Sequence, residues 1–191
     1  MITIIFESHG TTFDNENKIS SGWADAKLSP LGKKQSKELG ERYKNKQPDV
    51  IFCSDLSRSY ESGEIAFKER GIPIIKDRRL RECDYGDLTQ HPSEEIKALK
   101  KKCIKAPFPN GESYQQTSKR MKNFLKDLLL NHDNKTVMII GHRATQYGLE
   151  RWIKGLILER IVTSPWQWQP GWTYRLKKMY KIETHPLKRS T

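Results

Sequence analysis

The amino-acid sequence predicts an α/β fold, a three-layer sandwich in which a mostly parallel sheet carries helices on both faces. Three observations lead there. Short apolar runs of strand length, such as Val137-Met138-Ile139-Ile140, recur along the chain and alternate with helical patterns. Those runs are apolar at consecutive positions, as strands buried on both faces are. The chain has 191 residues, 35% of them hydrophobic and 9% aromatic. That length suits one domain over residues 1–191, able to bury about 70% of its unfolded surface.

Taken in order, residues 2–7 read as a first strand. Residues 8–28 form a long polar connection containing Ser20-Ser21-Gly22-Trp23. A connection of that length inside a compact domain points to functional use. Ser29-Pro30 then opens a helix, with serine as N-cap and proline in the first turn. Leu31, Gln35, Leu39 and Tyr43 recur every four residues along it, and Pro48 closes the region. A second strand covers 49–54, followed by a helix to about residue 68 for which Asp55 is the expected cap. Residues 71–75 read as a third strand and 92–103 as a short amphipathic helix. Pro107, Pro109 and Gly111 punctuate a loop. A long helix runs from 112 to about 131, with Tyr114, Met121, Phe124, Leu125, Leu128 and Leu129 on one stripe. Residues 135–140 are a fourth strand, 144–154 a helix, and 172–182 a last strand in which Trp172, Tyr174 and Leu176 alternate.

Lys and Arg number 35 against 23 Asp and Glu, a formal net charge of +12. Such a charge attracts anions. The basic residues are spread over helices and loops, with Lys100-Lys101-Lys102 among the densest spots. That spread favours solvated faces and nonspecific attraction, and a nucleic-acid partner is not expected. No apolar run approaches the roughly 18–20 residues that cross a bilayer. The amino end lacks the basic segment and cleavage site of a signal peptide. Cys53, Cys83 and Cys103 are odd in number and lack paired spacing, against a disulfide framework or a zinc site. The expectation is a cytoplasmic protein without membrane association. A homodimer is left open.

In open parallel sheets, ligands bind beyond the carboxyl ends of the strands. Ser8-His9-Gly10-Thr11 follows the first strand, Ser54-Asp55-Leu56-Ser57-Arg58 the second, and Gly141-His142-Arg143 the fourth. Two of the five histidines therefore leave the sheet where a site belongs. Neither a P-loop nor a Gly-x-Gly-x-x-Gly fingerprint is present. No His, Cys and carboxylate grouping has metal-ligand spacing, so no metal and no cofactor are expected.

Five blocks in this order resemble the histidine phosphatase superfamily, which is phosphoglycerate-mutase-like. They are Ser8-His9-Gly10 with Asn15 and Ser21-Gly22-Trp23; Cys53 through Arg58; Leu80-Arg81-Glu82-Cys83-Asp84-Tyr85-Gly86; Pro109-Asn110-Gly111-Glu112-Ser113 leading to Arg120; and Ile139-Ile140-Gly141-His142. The resemblance implies a metal-independent phosphomonoesterase acting through a phosphohistidine on a small phosphorylated metabolite. It makes His9 the nucleophile, which splits one difficult displacement into two easier ones. Arg58 would clamp nonbridging phosphate oxygens. His142 would donate to the transferring phosphoryl group. Glu82 would protonate the leaving oxygen and then deprotonate water. Asn15, Ser21 and Gly22 match substrate-side positions.

The departure is Ser8, where the family carries an arginine that also clamps the phosphate. Arg143, directly after His142, is a second unusual residue, and a cation there would be able to reach back and replace the missing charge. Ser8 also motivates a second reading, a catalytically impaired relative that binds a phosphorylated ligand or a protein partner. A third reading is mutase-type phosphoryl transfer. Against it stands the short interval between Glu82 and His142, where mutases of the family carry a longer insertion.

Overall fold

The computed structural model describes residues 1–177. Five strands form the main sheet: β1 (Ile2–Ser8), β3 (Val50–Cys53), β4 (Ile74–Lys76), β6 (Thr136–Gly141) and β7 (Trp172–Leu176), in the order β4-β3-β6-β1-β7. The first four in that order run parallel, and β7 closes the edge antiparallel to β1. Two short strands, β2 (Ile19–Ser20) and β5 (His91–Pro92), pair apart from it. The helices are α1 (Phe13–Glu16), α2 (Pro30–Arg42), α3 (Ser57–Phe67), α4 (Ser93–Leu99), α5 (Tyr114–Asn131), α6 (Arg143–Lys154) and α7 (Leu158–Thr163).

Alternation along the strands divides the core. Ile5, Ile51, Met138 and Ile140 face Leu39 of α2 and Ala66 and Phe67 of α3. Their neighbours Ile4, Phe6, Val137 and Ile139 face the opposite layer, with Met121, Phe124, Leu125 and Leu128 of α5 and Leu149 and Trp152 of α6. This is the expected three-layer α/β sandwich, and the period of two follows from strand geometry. A separate apolar cluster joins Tyr85, Ile96, Phe108, Tyr114, Tyr147 and Val162, so α4 and α7 rest on the start of α5 and on α6.

Local expectations hold in part. Ser29 caps α2 by accepting from the Gly32 amide at 3.2 Å, with Pro30 in the first turn. The long helix was expected from 112; α5 begins at Tyr114, with Ser113 capping it in a reciprocal box with Gln116. The third strand lies later than expected, at β4, and the helix expected over 92–103 is α4 followed by a separate turn at 102–104. The last strand was expected to reach 182; β7 ends at Leu176, and residues beyond 177 lie outside the described residues.

Two expectations fail for physical reasons. Leu31 does not face the core and is 48% exposed, because α2 packs on its small residues Gly32, Ser36 and Gly40 together with Leu39. A Cβ on Gly32 would stand 2.0 Å from the Thr11 carbonyl, so the helix rests backbone to backbone on the loop after β1. Asp55 does not cap α3. It pairs with Arg81 at 2.6 Å, and no side chain caps the helix at Leu56. The long connection 8–28 is also not bare loop, since it holds α1 and β2.

Candidate active site

Strand order brings the chemistry together. β6 lies between β1 and β3, with Ser8 in register with Gly141 and Cys53 with Ile140. One residue further, His9, His142 and Ser54 emerge side by side, although Ser54 and His142 are 88 positions apart in the chain. The His9 amide still donates to the Gly141 carbonyl at 3.1 Å. The two imidazole rings lie 5.0 Å apart between centroids.

Hydrogen bonds set the tautomer of each ring. His9 Nδ1 is 2.7 Å from the Gly10 carbonyl oxygen. A carbonyl only accepts, so the proton sits on Nδ1 and Nε2 keeps its lone pair. His142 Nε2 is 2.6 Å from Ser54 Oγ, which also accepts from the Leu56 amide at 3.2 Å. With the Ser54 hydroxyl donating to Nε2 and accepting from Leu56, His142 carries its proton on Nδ1. That Nδ1 is buried and has no hydrogen-bond partner among the described residues. Packed atoms and the nearby Arg58 charge push the His9 pKa from 6.5 down to about 3, against the opposing pull of the Gly10 bond. His142 is lowered well below 6.5 by burial first, then by Arg58 and His9. Both rings are therefore neutral near pH 7.

Arg58, at the start of α3, is 2% exposed. Its Nη1 donates to the Ala24 carbonyl at 3.0 Å and its Nη2 to the Gly22 carbonyl at 2.7 Å. Two of its five N–H groups are thus spent on the loop and three remain. Gly22 has φ +50 and turns its carbonyl toward this arginine. Ser21 is buried, and its hydroxyl has no partner among the described residues. Gly22 and Ala24 hold Arg58 through their carbonyls, and Ser21, Gly22 and Arg58 are not among the residues that line the cavity described below.

Glu82 is pinned through its backbone and through one carboxylate oxygen. Its carbonyl accepts from Trp23 Nε1 and from Arg120 Nη2, both at 2.7 Å. Its Oε1 accepts from the Cys83 amide at 2.7 Å and from the Ala144 amide, in the first turn of α6, at 3.3 Å. Oε2 takes no hydrogen bond from the described residues. Arg79 and Arg81, its sequence neighbours, pair instead with Asp77 and Asp127 and with Asp55.

A cavity of about 1090 Å³ opens at these strand ends and is lined by His9, His142, Glu82, Ser8, Asn15 and Arg143 among others. Asn15 also serves α1, its Oδ1 accepting from the Thr12 amide at 3.1 Å. Arg143 lies in the wall. Its Nε donates to Tyr147 Oη at 3.0 Å, its Nη2 to the Ser164 carbonyl at 3.3 Å, and its guanidinium sits over the rings of Tyr147 and Trp166. Reaching back to the phosphate pocket would require it to leave those contacts. Among the described residues, no three His, Cys, Asp or Glu side chains group as metal ligands, and no helix is long and apolar enough to cross a membrane.

Sequence reasoning assigned no role to Ser54, although it lay inside the second block, because strand adjacency cannot be read from a single chain. It also passed over Glu7, a buried carboxylate on the cavity wall that takes hydrogen bonds from Arg42 Nη2 at 3.1 Å and Tyr43 Oη at 2.8 Å. A charge at the end of an otherwise apolar strand was the available signal.

Comparison with known proteins agrees with this arrangement. The phosphoglycerate mutase of Schizosaccharomyces pombe is 30% identical over 175 residues, covering 83% of this chain and 82% of that protein. Phosphoserine phosphatase 1 of Hydrogenobacter thermophilus is 28% identical over 150 residues, covering 74% of this chain and 71% of the other. Among solved structures, Bacillus stearothermophilus YhfR superposes with a TM-score of 0.81 at 24% identity, over 93% of this chain and 96% of that one. The family model of the histidine phosphatase superfamily (branch 1) matches residues 4–168 and so spans the ends of β1, β3 and β6 that carry His9, Ser54 and His142. With that match, and with two neutral histidines opposed at the edge of its sheet, the chain belongs to the histidine phosphatase superfamily.

Proposed function

We propose that the protein is a phosphomonoesterase that hydrolyses a small phosphorylated metabolite through a phosphohistidine at His9. The observation that carries this is the opposed pair of tautomers. His9 offers a bare Nε2, and His142 offers a buried Nδ1–H with nothing else to bond. A lone pair beside a donor is what attack on a phosphoryl group requires. Neutrality at ordinary pH keeps the lone pair available.

The Nε2 lone pair attacks phosphorus and the ester P–O bond breaks. Glu82 gives its proton to the departing oxygen. Its carboxylate then takes a proton from water, the water oxygen attacks phosphorus, and the P–N bond breaks to release inorganic phosphate. The pinned Oε1 orients the carboxyl, and the unbonded Oε2 moves the proton. Three unspent N–H groups of Arg58 and the His142 Nδ1–H meet the charge on the phosphoryl oxygens.

Ser8 supports a second reading, a slow or impaired relative. A hydroxyl at the position of the family's arginine supplies no permanent charge, and Arg143 is engaged with Tyr147, Trp166 and Ser164. Rapid-quench trapping separates the two readings. Wild-type protein mixed with p-nitrophenyl phosphate should yield an acid-labile, base-stable phosphoprotein and steady release of nitrophenol, and His9→Ala should yield neither. Absence of the adduct from wild type would leave the binding-only reading.

A further inference from the structure

The peptide link between Glu82 and Cys83 is gripped on both sides. Its carbonyl oxygen accepts from Trp23 Nε1 and from Arg120 Nη2, both at 2.7 Å. Its N–H donates to Glu82 Oε1 at 2.7 Å. A peptide unit is planar, so whatever fixes the carbonyl also fixes the direction of the N–H. The two donors behind the carbonyl therefore aim the carboxyl in front of it. The other donor to Oε1, the Ala144 amide, stands at 3.3 Å and holds it less firmly.

Both donors are themselves held. Arg120 spends one N–H on Glu82 and its other four on the same region of the chain. Nη1 donates to the Arg79 and Arg81 carbonyls at 2.6 and 2.7 Å, and Nε and Nη2 donate to the Glu112 carboxylate at 3.0 and 2.9 Å. Trp23 has the Arg81 guanidinium 4.6 Å over its ring, and Asp55 locks Arg81 through two bonds of 2.7 and 2.6 Å. Its neighbours Gly22 and Ala24 give their carbonyls to Arg58. The loop that secures the phosphate clamp thus also carries a donor behind the acid. Trp23 and Arg120 are not among the residues that line the active-site cavity.

We propose that Trp23 and Arg120 are positioning residues for the general acid and act on it through the 82–83 peptide. This rests on the phosphatase reading and on Glu82 protonating the leaving oxygen. Proton transfer needs the carboxyl within hydrogen-bond reach of that oxygen. A rotation of the peptide plane withdraws the Cys83 amide from Oε1 and lets the side chain swing out of line. The phosphate clamp does not share this dependence, because Arg58 is held by the carbonyls that flank Trp23 and not by its indole. Loss of either donor therefore impairs delivery of the proton and spares attack by His9.

The test follows phosphohistidine formation in rapid-quench single turnovers with phenyl phosphate and p-nitrophenyl phosphate. The two share a ring and differ in how much the leaving oxygen needs a proton. Trp23→Phe keeps an aromatic ring beneath Arg81 and deletes the N–H. It should slow the adduct from phenyl phosphate about tenfold, the scale of one net hydrogen bond, and that from p-nitrophenyl phosphate by less than about twofold. Arg120→Lys, whose single ammonium cannot serve three carbonyls and a carboxylate together, should show the same split. In a Glu82→Gln background, Trp23→Phe should slow the phenyl phosphate reaction no further, since the group it serves is gone. Trp152→Phe deletes an indole N–H that serves the Ser118 carbonyl in the core, and it should leave both rates in place. Equal slowing with both substrates, no slowing, or a further loss on top of Glu82→Gln would overturn the positioning role. A wild-type protein that forms no adduct from either substrate would instead refute the phosphatase reading on which it rests.

Discussion

The ring of His142 is held 5.0 Å from that of His9 and is fixed from its far side by Ser54, whose hydroxyl lies 2.6 Å from Nε2. Donor and nucleophile are neighbours because their strands are paired, and each takes its tautomer from a different contact. Gly10 sets one and Ser54 the other.

Ser54→Ala removes the bond that keeps the His142 proton on Nδ1. The ring is then free to carry its proton on Nε2, which presents a lone pair to the phosphoryl oxygens. Turnover should fall about tenfold, the scale of one net hydrogen bond. Nitrogen NMR of the labelled protein should show the shift in tautomer. A wild-type tautomer in the variant would remove Ser54 from this role.

Ser8→Arg should raise turnover. One preorganised contact to the developing charge is worth about 3–4 kcal/mol, a factor of several hundred at the upper end. Ser8 is half-buried on the cavity wall. Steady-state kinetics of Ser8→Arg and of Arg143→Ala decide between charge shortage and compensation. A gain in the first would establish the shortage. No gain, together with a roughly hundredfold loss in Arg143→Ala, would mean that Arg143 swings in to supply the charge.

Glu82→Gln keeps the shape of the side chain and removes the transferable proton. Hydrolysis of an alkyl phosphate should slow by roughly 10²–10⁴. Nitrophenolate leaves without protonation, so formation of the phosphohistidine from p-nitrophenyl phosphate should slow far less. An equal loss with both substrates would contradict the general-acid role.

The depressed histidines make stability depend on pH. In the unfolded chain His9 titrates near 6.5, and in the folded protein near 3. Below 6.5 the unfolded state binds a proton that the folded state refuses, so stability falls as pH drops from 6.5 toward 3. The slope is up to about 1.4 kcal/mol per pH unit for each such histidine. Urea unfolding at about pH 7 and about pH 5 should show this loss, and His9→Asn should lessen it. An identical pH dependence in the variant would refute the assignment.

Gly32→Ala tests the seat of α2. Its new methyl would meet the Thr11 carbonyl at 2.0 Å, a backbone atom that cannot swing aside. Overpacking of this kind costs about 1–3 kcal/mol. The melting temperature should fall by several degrees. Because Thr11 follows the His9-Gly10 turn, turnover should fall with it.

Much of this was legible in the chain itself. Apolar runs and capping residues specify strands and helices locally, so Ser29-Pro30 marks its helix without any neighbour. The motifs place His9, Arg58 and His142 at strand ends because a parallel sheet always presents its carboxyl edge to a ligand. Tertiary structure decided the rest. That β6 lies between β1 and β3 is a pairing between distant segments, and only this pairing puts Ser54 behind His142. The Asp55–Arg81 pair, the exposure of Leu31, the Gly22 and Ala24 carbonyls on Arg58 and the anchoring of Arg143 on Tyr147 have the same cause. A side chain's partner depends on what packs beside it in space, and local propensity carries no information about that.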